Sequence, residues 1–224
     1  MRRMDDAPAA AGDTMSVALD GATAALVRVA LEIPDGPEAA LESAMHAARG
    51  AGTSAEWLEE LVLMAVLFAG FPRALVAARL LRRAAPLYPG GEDATNYDRW
   101  KEWLARGEAT CRRVYGDNYH KLRDHVMKLH PTLDHWMVVD GYGRTLSRPA
   151  LDLARRELCA VAMLIEQDVP RQLHSHYRGA LNAGATAAQV EAVVALAARC
   201  PSVRADRLTA ARALWARTRP RPVR

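Results

Sequence analysis

Residues 147–184 read SRPALDLARRELCAVAMLIEQDVPRQLHSHYRGALNAG, and they are the strongest indication of the fold in this chain. Apolar residues recur at helical spacing on both sides of a break at residues 168–170. We therefore predict one helix over residues 149–165 and a second over residues 170–181, closed by the turn at residues 182–184. The short connection between the two helices favours antiparallel packing.

One carboxylate and one imidazole stand on these two apolar helices. Glu157 lies in the run ARRELCAVAML, where burial would desolvate its carboxylate and suit it for proton transfer. His176 can reach Glu157 if the helices are antiparallel. The two side chains are either an acid/base pair acting on a carboxylated or carbonyl substrate, or a buried hydrogen bond that joins two helices.

The composition of the whole chain is typical of packed helices. The 224 residues are 50% hydrophobic but only 6% aromatic, and Ala, Leu and Val dominate. Thirty basic residues are mixed with 26 acidic ones, which argues against nucleic-acid binding. No apolar run reaches the ~18 residues of a transmembrane helix, and no signal peptide is recognised. We therefore expect a cytoplasmic protein that contacts neither nucleic acid nor membrane.

The cysteines and histidines do not predict a metal site. Cys111, Cys159 and Cys200 are far apart and form no CxxC spacing. Redox work by Cys159 or Cys111 is a minor alternative, because isolated buried thiols are usually inert. Four histidines at residues 120–135 are spaced by five, a step of ~140° on a helix, so they cannot converge from one helix. We predict neither a metal nor an organic cofactor.

Helical periodicity runs through nearly all of the chain after residue 20. Within it, Thr53 is expected to begin a helix as part of a capping box with Glu56, and Gly141 and Gly143 are expected to end one. The predicted segments are a flexible arm (1–20), a first helical repeat (21–86), a linker and middle helical section (87–146), a second helical repeat with the candidate site (147–216) and a basic tail (217–224).

Two parts of the chain repeat each other. Residues 41–78 align without a gap to residues 173–210 at an offset of 132, with ten of 38 pairs identical. A shared Ala-Gly turn supports an ancient duplication more strongly than the many alanine matches do. Two unrelated helical hairpins with similar packing needs remain the alternative. At this offset Ala25 and Ala44 replace the carboxylate and the imidazole, so the first repeat is expected to be structural.

These motifs together resemble the carboxymuconolactone decarboxylase family and its relative alkyl hydroperoxidase D. The resemblance implies an all-α, alkyl hydroperoxidase D-like helical bundle with two related repeats. It also implies a ring-like homo-oligomer, with a trimer favoured and a hexamer as the alternative. The matching pieces are GRTLSRPALDLARREL (143–158), CAVAMLI (159–165), HSHYRGALNAGAT (174–186), QVEAVVALAA (189–198) and AGTSAEWLEELVLMAVLFAGFPRAL (51–75).

The peroxidase branch of this family uses a glutamate, a CxxC pair and a histidine, in that order. Glu157 and His176 keep the nineteen-residue separation of the outer two. Val169 and Gln172 stand at the cysteine positions, and neither can form a disulfide or attack a peroxide. We therefore exclude peroxidase activity that depends on a CxxC pair.

The resemblance implies a decarboxylase-like lyase for a small carboxylated or lactone-type metabolite. His176 would supply a proton to carbon, Glu157 would orient the imidazole, and Arg171 or Arg148 would hold a substrate carboxylate. The alternative for each arginine is that it is a charge on the protein surface and does not contact a substrate. The alternative function is a non-catalytic helical scaffold or a stress-associated binding protein that retained the fold.

Overall fold

The structure is a computed structural model that describes residues 18–88 and 91–220. Within these ranges the chain forms helices and turns without a strand, which confirms the predicted all-α class. Residues 1–17 of the predicted N-terminal arm and residues 221–224 of the predicted basic tail lie outside the described residues. The division into five segments stays a prediction.

The helices are numbered in chain order, with one π-helix between the sixth and the seventh α-helix. They are α1 (Gly21–Glu32), α2 (Glu38–Gly50), α3 (Ala55–Ala84), α4 (Trp100–Tyr115), α5 (Tyr119–Leu129), α6 (Pro131–Trp136), the π-helix (Met137–Leu146), α7 (Leu153–Glu166), α8 (Pro170–Asn182), α9 (Ala187–Ala197) and α10 (Ala205–Thr218).

The core forms where α1 packs against α7. Helices α2 and α3 contact α1, while α8 and α9 contact α7. Leu26 and Val29 of α1 and Leu158 and Val161 of α7 are almost completely buried, as the apolar character of these helices requires. The middle section adds α4, which packs against both the π-helix and α8. This arrangement places α7 and α8 side by side, with α3 and α4 around them.

Short polar side chains set where the helices begin. Asp152 accepts a hydrogen bond from the backbone N–H of Arg155, so α7 begins at Leu153 and not at Pro149 as predicted. Ser54, not Thr53, caps α3 by accepting from the backbone N–H of Trp57, so the predicted capping box was wrong. In both cases the side chain that reaches the free N–H groups decides the boundary.

Gly141 and Gly143 do not end a helix, contrary to the prediction, but lie within the π-helix. A Cβ atom at Gly143 would collide with the carbonyl oxygen of Trp103 in α4, and one at Gly107 would collide with that of Val138. The two helix backbones are therefore in direct contact, which glycine alone permits. These glycines serve close packing, and a sequence pattern alone does not separate that role from helix termination.

Helix α3 is bent at Gly70, whose φ of 76° is outside the helical region. It is the one helix within residues 18–88 and 91–220 that is long and apolar enough to cross a membrane, with a mean hydropathy of 2.1 over 18 residues. The expectation that no apolar run reaches this length was therefore wrong. A single such helix is weak support for a membrane span, because core helices of globular proteins have the same composition. A third of that window, 33%, is buried inside the fold.

The bounds of the helices match at the offset found in the sequence. Adding 132 to both ends of α2 gives the ends of α8, and the first residues of α1 and α3 map in the same way onto those of α7 and α9. The turn glycines also match, with φ of 85° at Gly52 and 105° at Gly184. These matches support the duplication, which itself stays a prediction.

Candidate active site

Glu157 and His176 form a buried hydrogen-bonded pair between α7 and α8. The imidazole Nδ1 lies 2.8 Å from the carboxylate Oε2, and the residues are 1% and 7% exposed. Since a carboxylate only accepts hydrogen bonds, Nδ1 is the nitrogen that carries the proton. This bond fixes the ring orientation and leaves Nε2 as the nitrogen able to exchange a proton.

Gly179 makes room for the carboxylate. It lies on α8, three residues after His176, and a Cβ atom there would stand 2.6 Å from Oε2 of Glu157. Any side chain at this position would push the carboxylate away from the imidazole. The other carboxylate oxygen, Oε1, is buried and has no hydrogen-bond partner among the described residues. The pair is thus tightly packed, but one carboxylate oxygen lacks a hydrogen bond. Buried groups that take part in catalysis often have such an unused hydrogen-bonding atom.

A cavity of about 400 Å³ opens beside the imidazole. Its size falls in the range of small-molecule sites, and most of its wall is apolar with a few polar side chains. The lining residues are Leu67, Phe68, Tyr115, Met137, Gly141, Tyr142, Leu146, Leu164, Gln167, Val169, Gln172 and His176.

Phe68 joins the first half of the chain to this cavity. Its ring meets the ring of His176 edge to face, with centroids 5.1 Å apart. The side-chain amide of Gln167 donates a hydrogen bond to the carbonyl oxygen of Phe68. Residues 51–75, which carry part of the family resemblance, therefore contribute to the wall of the site.

Two tyrosine hydroxyls supply further polar groups. Tyr115 ends α4, Tyr142 lies in the π-helix, and their rings meet edge to face at 6.1 Å. Burial raises the pKa of Tyr115 to about 12, a hydrogen bond with Tyr142 opposes that rise, and the charge of Glu157 adds to it. Burial also raises the pKa of Tyr142 well above its usual value. Both hydroxyls therefore stay protonated at neutral pH and can donate hydrogen bonds.

A comparison with known protein families found a match for the segment that contains Glu157 and His176. Residues 133–216 match the model of the Carboxymuconolactone decarboxylase family. This segment is similar to the domain of that family. The match confirms the resemblance for α7 to α10, which include both Glu157 and His176, and it leaves residues 51–75 outside. A comparison with curated proteins found no match.

The cavity beside His176 of this carboxymuconolactone decarboxylase-like domain lies where the peroxidase branch has its cysteines. Val169 and Gln172 both line it, next to the imidazole of His176. The place that would hold a thiol pair thus holds an apolar side chain and an amide. Neither group undergoes thiol–disulfide exchange.

The two arginines that were predicted to hold a substrate carboxylate do not line the cavity of the domain. Arg171 is exposed to solvent between two lining residues. Arg148 is buried elsewhere, with Nε 2.9 Å from both carboxylate oxygens of Glu60 and Nη1 2.8 Å from the carbonyl oxygen of Glu92. The expectation for Arg148 is corrected here, because its guanidinium joins α3 to the segment before α7.

Arg156 completes the ionic cluster around Glu60. Its Nη2 lies 2.8 Å from Oε2 of Glu60, and its Nε donates to the carbonyl oxygen of Leu151. The side chain is completely buried. Arg156 therefore has a structural role.

The thiols of the domain and its surroundings are not activated. Burial raises the pKa of Cys111 and of Cys159 to about 12, and that of Cys200 to about 11. Such thiols are almost fully protonated at neutral pH and react slowly. Over the described ranges, no three His, Cys, Asp or Glu side chains cluster as metal ligands would.

Proposed function

We propose that the protein is a carboxymuconolactone decarboxylase-like lyase in which His176 transfers a proton to or from a small metabolite. The observation that supports this most directly is the 2.8 Å contact between His176 and Glu157 at the wall of a cavity of about 400 Å³. A general acid or base has to lie within hydrogen-bond reach of a bound substrate, and His176 lines the space where one would sit.

Glu157 would control the imidazole. With Nδ1–H donated to Glu157, Nε2 of neutral His176 has a free lone pair and takes up a proton. The carboxylate then stabilises the imidazolium by charge. In a decarboxylation, the bond to the leaving carboxyl group breaks, its electron pair stays on carbon, and Nε2–H of the imidazolium protonates that carbon as carbon dioxide departs. No metal or organic cofactor takes part in this step.

Tyr115, which accepts a hydrogen bond from Tyr142, would stabilise negative charge on substrate oxygen. Both line the cavity, and both hydroxyls keep their protons because burial raises their pKa. A donor aimed at an enolate or lactone oxygen lowers the energy of the charge that develops during the reaction.

The apolar wall of the cavity bears on the fate of the leaving carboxyl group. Within residues 18–88 and 91–220, neither an Arg nor a Lys lines it, and its wall is mainly apolar. A substrate carboxylate would be desolvated there without a cation to pair with, which raises the energy of the bound carboxylate and favours its loss as neutral carbon dioxide. We propose that the substrate presents a lactone or ketone oxygen to Tyr115 and an apolar face to the remaining wall.

A homo-oligomer is part of the proposal, with a trimer favoured over a hexamer. Leu63 and Leu67 before the bend at Gly70, and Phe71 and Leu75 after it, are 41–66% exposed and are here called the α3 stripe. Apolar stripes of this kind are typical of protein interfaces. Leu67 also lines the cavity, so a second copy packed on this stripe would narrow its mouth. A cytoplasmic location fits three free cysteines and is proposed with it.

A non-catalytic scaffold is the second candidate. One observation favours it, namely that the carboxylate–imidazole hydrogen bond by itself joins α7 to α8. Glu157→Gln separates the two functions, because the amide can still accept the Nδ1 hydrogen bond but cannot stabilise an imidazolium. The scaffold hypothesis predicts a small change in unfolding temperature and nothing else. The enzyme hypothesis predicts that turnover falls by about a hundredfold or more.

A screen of γ-lactones and β-keto acids tests the proposal itself. Each compound is incubated with the protein in D₂O, and deuterium at carbon in the product is measured by mass spectrometry. We expect enzyme-dependent deuterium incorporation that is lost in His176→Gln. If no compound in the series exchanges or loses carbon dioxide, the scaffold becomes the better account.

A further inference from the structure

The chain contains a second cavity whose position mirrors the first. It has a volume of about 300 Å³ and lies between α1, α2 and the end of α9. Its lining residues are Arg28, Leu31, Glu32, Ala40, Ser43, Ala44, Ala47, Leu196, Arg199, Cys200 and Pro201.

Five of these residues occupy positions related by 132 to residues that line the first cavity. The two cavities are therefore corresponding sites in the two halves of the chain. The pairs, first cavity to second, are Leu67 to Arg199, Phe68 to Cys200, Leu164 to Glu32, Gln172 to Ala40 and His176 to Ala44.

The chemistry of the second cavity is different. Ala44 replaces the imidazole, so the acid/base group of the first cavity is missing from this position. Arg199 replaces Leu67, and α1 adds Arg28, whereas the first cavity has no lining cation among the described residues. Over residues 18–88 and 91–220, neither guanidinium lies within ion-pairing distance of a carboxylate. Two arginines are thus free to meet a ligand.

Glu32 does not neutralise these arginines by direct contact, since its carboxylate is already engaged. Its Oε2 accepts a hydrogen bond of 2.6 Å from the hydroxyl of Ser202, and its Oε1 accepts one of 3.1 Å from the thiol of Cys200. The residue is 8% exposed. Two lining guanidiniums and one lining carboxylate leave the cavity with one formal positive charge.

We propose that this second cavity binds a small monocarboxylate with an apolar body. Arg28 and Arg199 would hold the carboxylate, because a guanidinium fork matches its two oxygens. Leu31, Leu196 and Ala44 would contact the apolar part. A volume of about 300 Å³ is at the lower end of ligand sites, which limits the ligand to the size of a simple aromatic or branched acid. The proposal does not depend on the reaction assigned to the first cavity.

Benzoate and its neutral analogue benzamide test the site by titration calorimetry at constant ionic strength. We expect benzoate to bind the full chain and benzamide to bind much more weakly. Arg28→Gln and Arg199→Gln should each weaken benzoate binding by about tenfold or more, since each removes a charge-assisted hydrogen bond. Arg178→Gln, an exposed arginine on α8, serves as the matched control and should leave binding unchanged.

Cys200 reports where the ligand binds. It is the one thiol of the three that is not fully buried, and it lines the second cavity. Alkylation by iodoacetamide is followed by mass spectrometry at about pH 10, where about a tenth of the thiol is thiolate. Benzoate at ten times its dissociation constant should slow the alkylation of Cys200 by about elevenfold.

Three results would overturn the proposal. The first is the absence of both binding heat and protection of Cys200 at about 10 mM benzoate, a concentration that detects even weak sites. The second is equal binding of benzamide, which would mark an apolar pocket without anion selectivity. The third is benzoate binding that persists unchanged in Arg28→Gln and Arg199→Gln.

Discussion

Gly179 of α8 lies so close to Glu157 of α7 that a Cβ atom at position 179 would stand 2.6 Å from the carboxylate Oε2. The same Cβ would stand 2.8 Å from Cγ1 of Val114 on α4. A side chain at position 179 would therefore collide with both the carboxylate of Glu157 and the side chain of Val114. Position 179 controls the acid/base pair without taking part in its chemistry.

Gly179→Ala should accordingly displace the carboxylate and weaken its bond to His176. We expect a loss of stability of about 1–3 kcal/mol from overpacking and a marked fall in turnover. Urea unfolding and activity are measured together, with Gly21→Ala as a control, because a Cβ at Gly21 meets open space. A variant that is as active and as stable as the parent would show that the packing around Glu157 is looser than described.

Asp152 is expected to stabilise the start of α7 in a pH-dependent manner. Partial burial acts to raise its pKa, but hydrogen bonds from the backbone and guanidinium of Arg155 outweigh it, so the pKa lies below the usual 3.8. A lowered folded-state pKa means that the stabilisation is present above pH ~4 and is lost as the pH falls through the folded-state pKa. Asp152→Ala should cost about 1 kcal/mol at neutral pH.

The measurement is the free energy of unfolding of the parent and of Asp152→Ala at a series of pH values. The difference between the two proteins should shrink as the solution becomes more acidic than pH ~4. A difference that stays constant into that range would mean that the charge of Asp152 has no part in capping α7.

The protein is expected to lack thiol-dependent peroxidase activity. Burial raises the pKa of all three thiols to between about 11 and about 12, so each is protonated at neutral pH. Hydrogen peroxide should be consumed no faster than in buffer, and alkylation of the native protein should accelerate with pH, with Cys200 reacting first. Fast peroxide consumption that disappears in Cys159→Ser or Cys111→Ser would contradict this account.

The exposed stripe on α3 should hold the oligomer together. Phe71→Glu combined with Leu75→Glu places charges at its two most exposed positions, which are 66% and 64% exposed. We expect light scattering to show a smaller species than in the parent. Leu87→Glu, in an exposed loop, is the control and should leave the mass unchanged. An oligomer that survives the double substitution would place the interface elsewhere.

Much of the fold follows from local sequence signals. Helical periodicity, proline positions and the glycine turns place α7 and α8 within a few residues. The short connection between these helices predicts antiparallel packing, and His176 does reach Glu157. These features depend on neighbours in the chain, so a sequence pattern can show them. Helix boundaries that a single capping side chain sets, as Asp152 does for α7, are harder to predict from a sequence pattern.

Contacts between distant segments could not be predicted in the same way. Tyr115 and Phe68 enter the site from α4 and α3, and their place depends on how those helices pack. Arg148 was assigned to the substrate because it lies near the site in sequence, but Glu60, 88 residues away, binds it instead. The glycines of the π-helix looked like helix terminators because close backbone packing leaves no local pattern.

The central claim is that His176 acts chemically and does more than join two helices. The most direct test is the turnover of His176→Ala on a lactone that the parent protein converts, measured alongside its thermal unfolding. The account predicts a loss of turnover of about a hundredfold or more in a variant that keeps its oligomeric state and unfolds cooperatively. Turnover close to that of the parent, or a loss of activity that only follows unfolding, would contradict it.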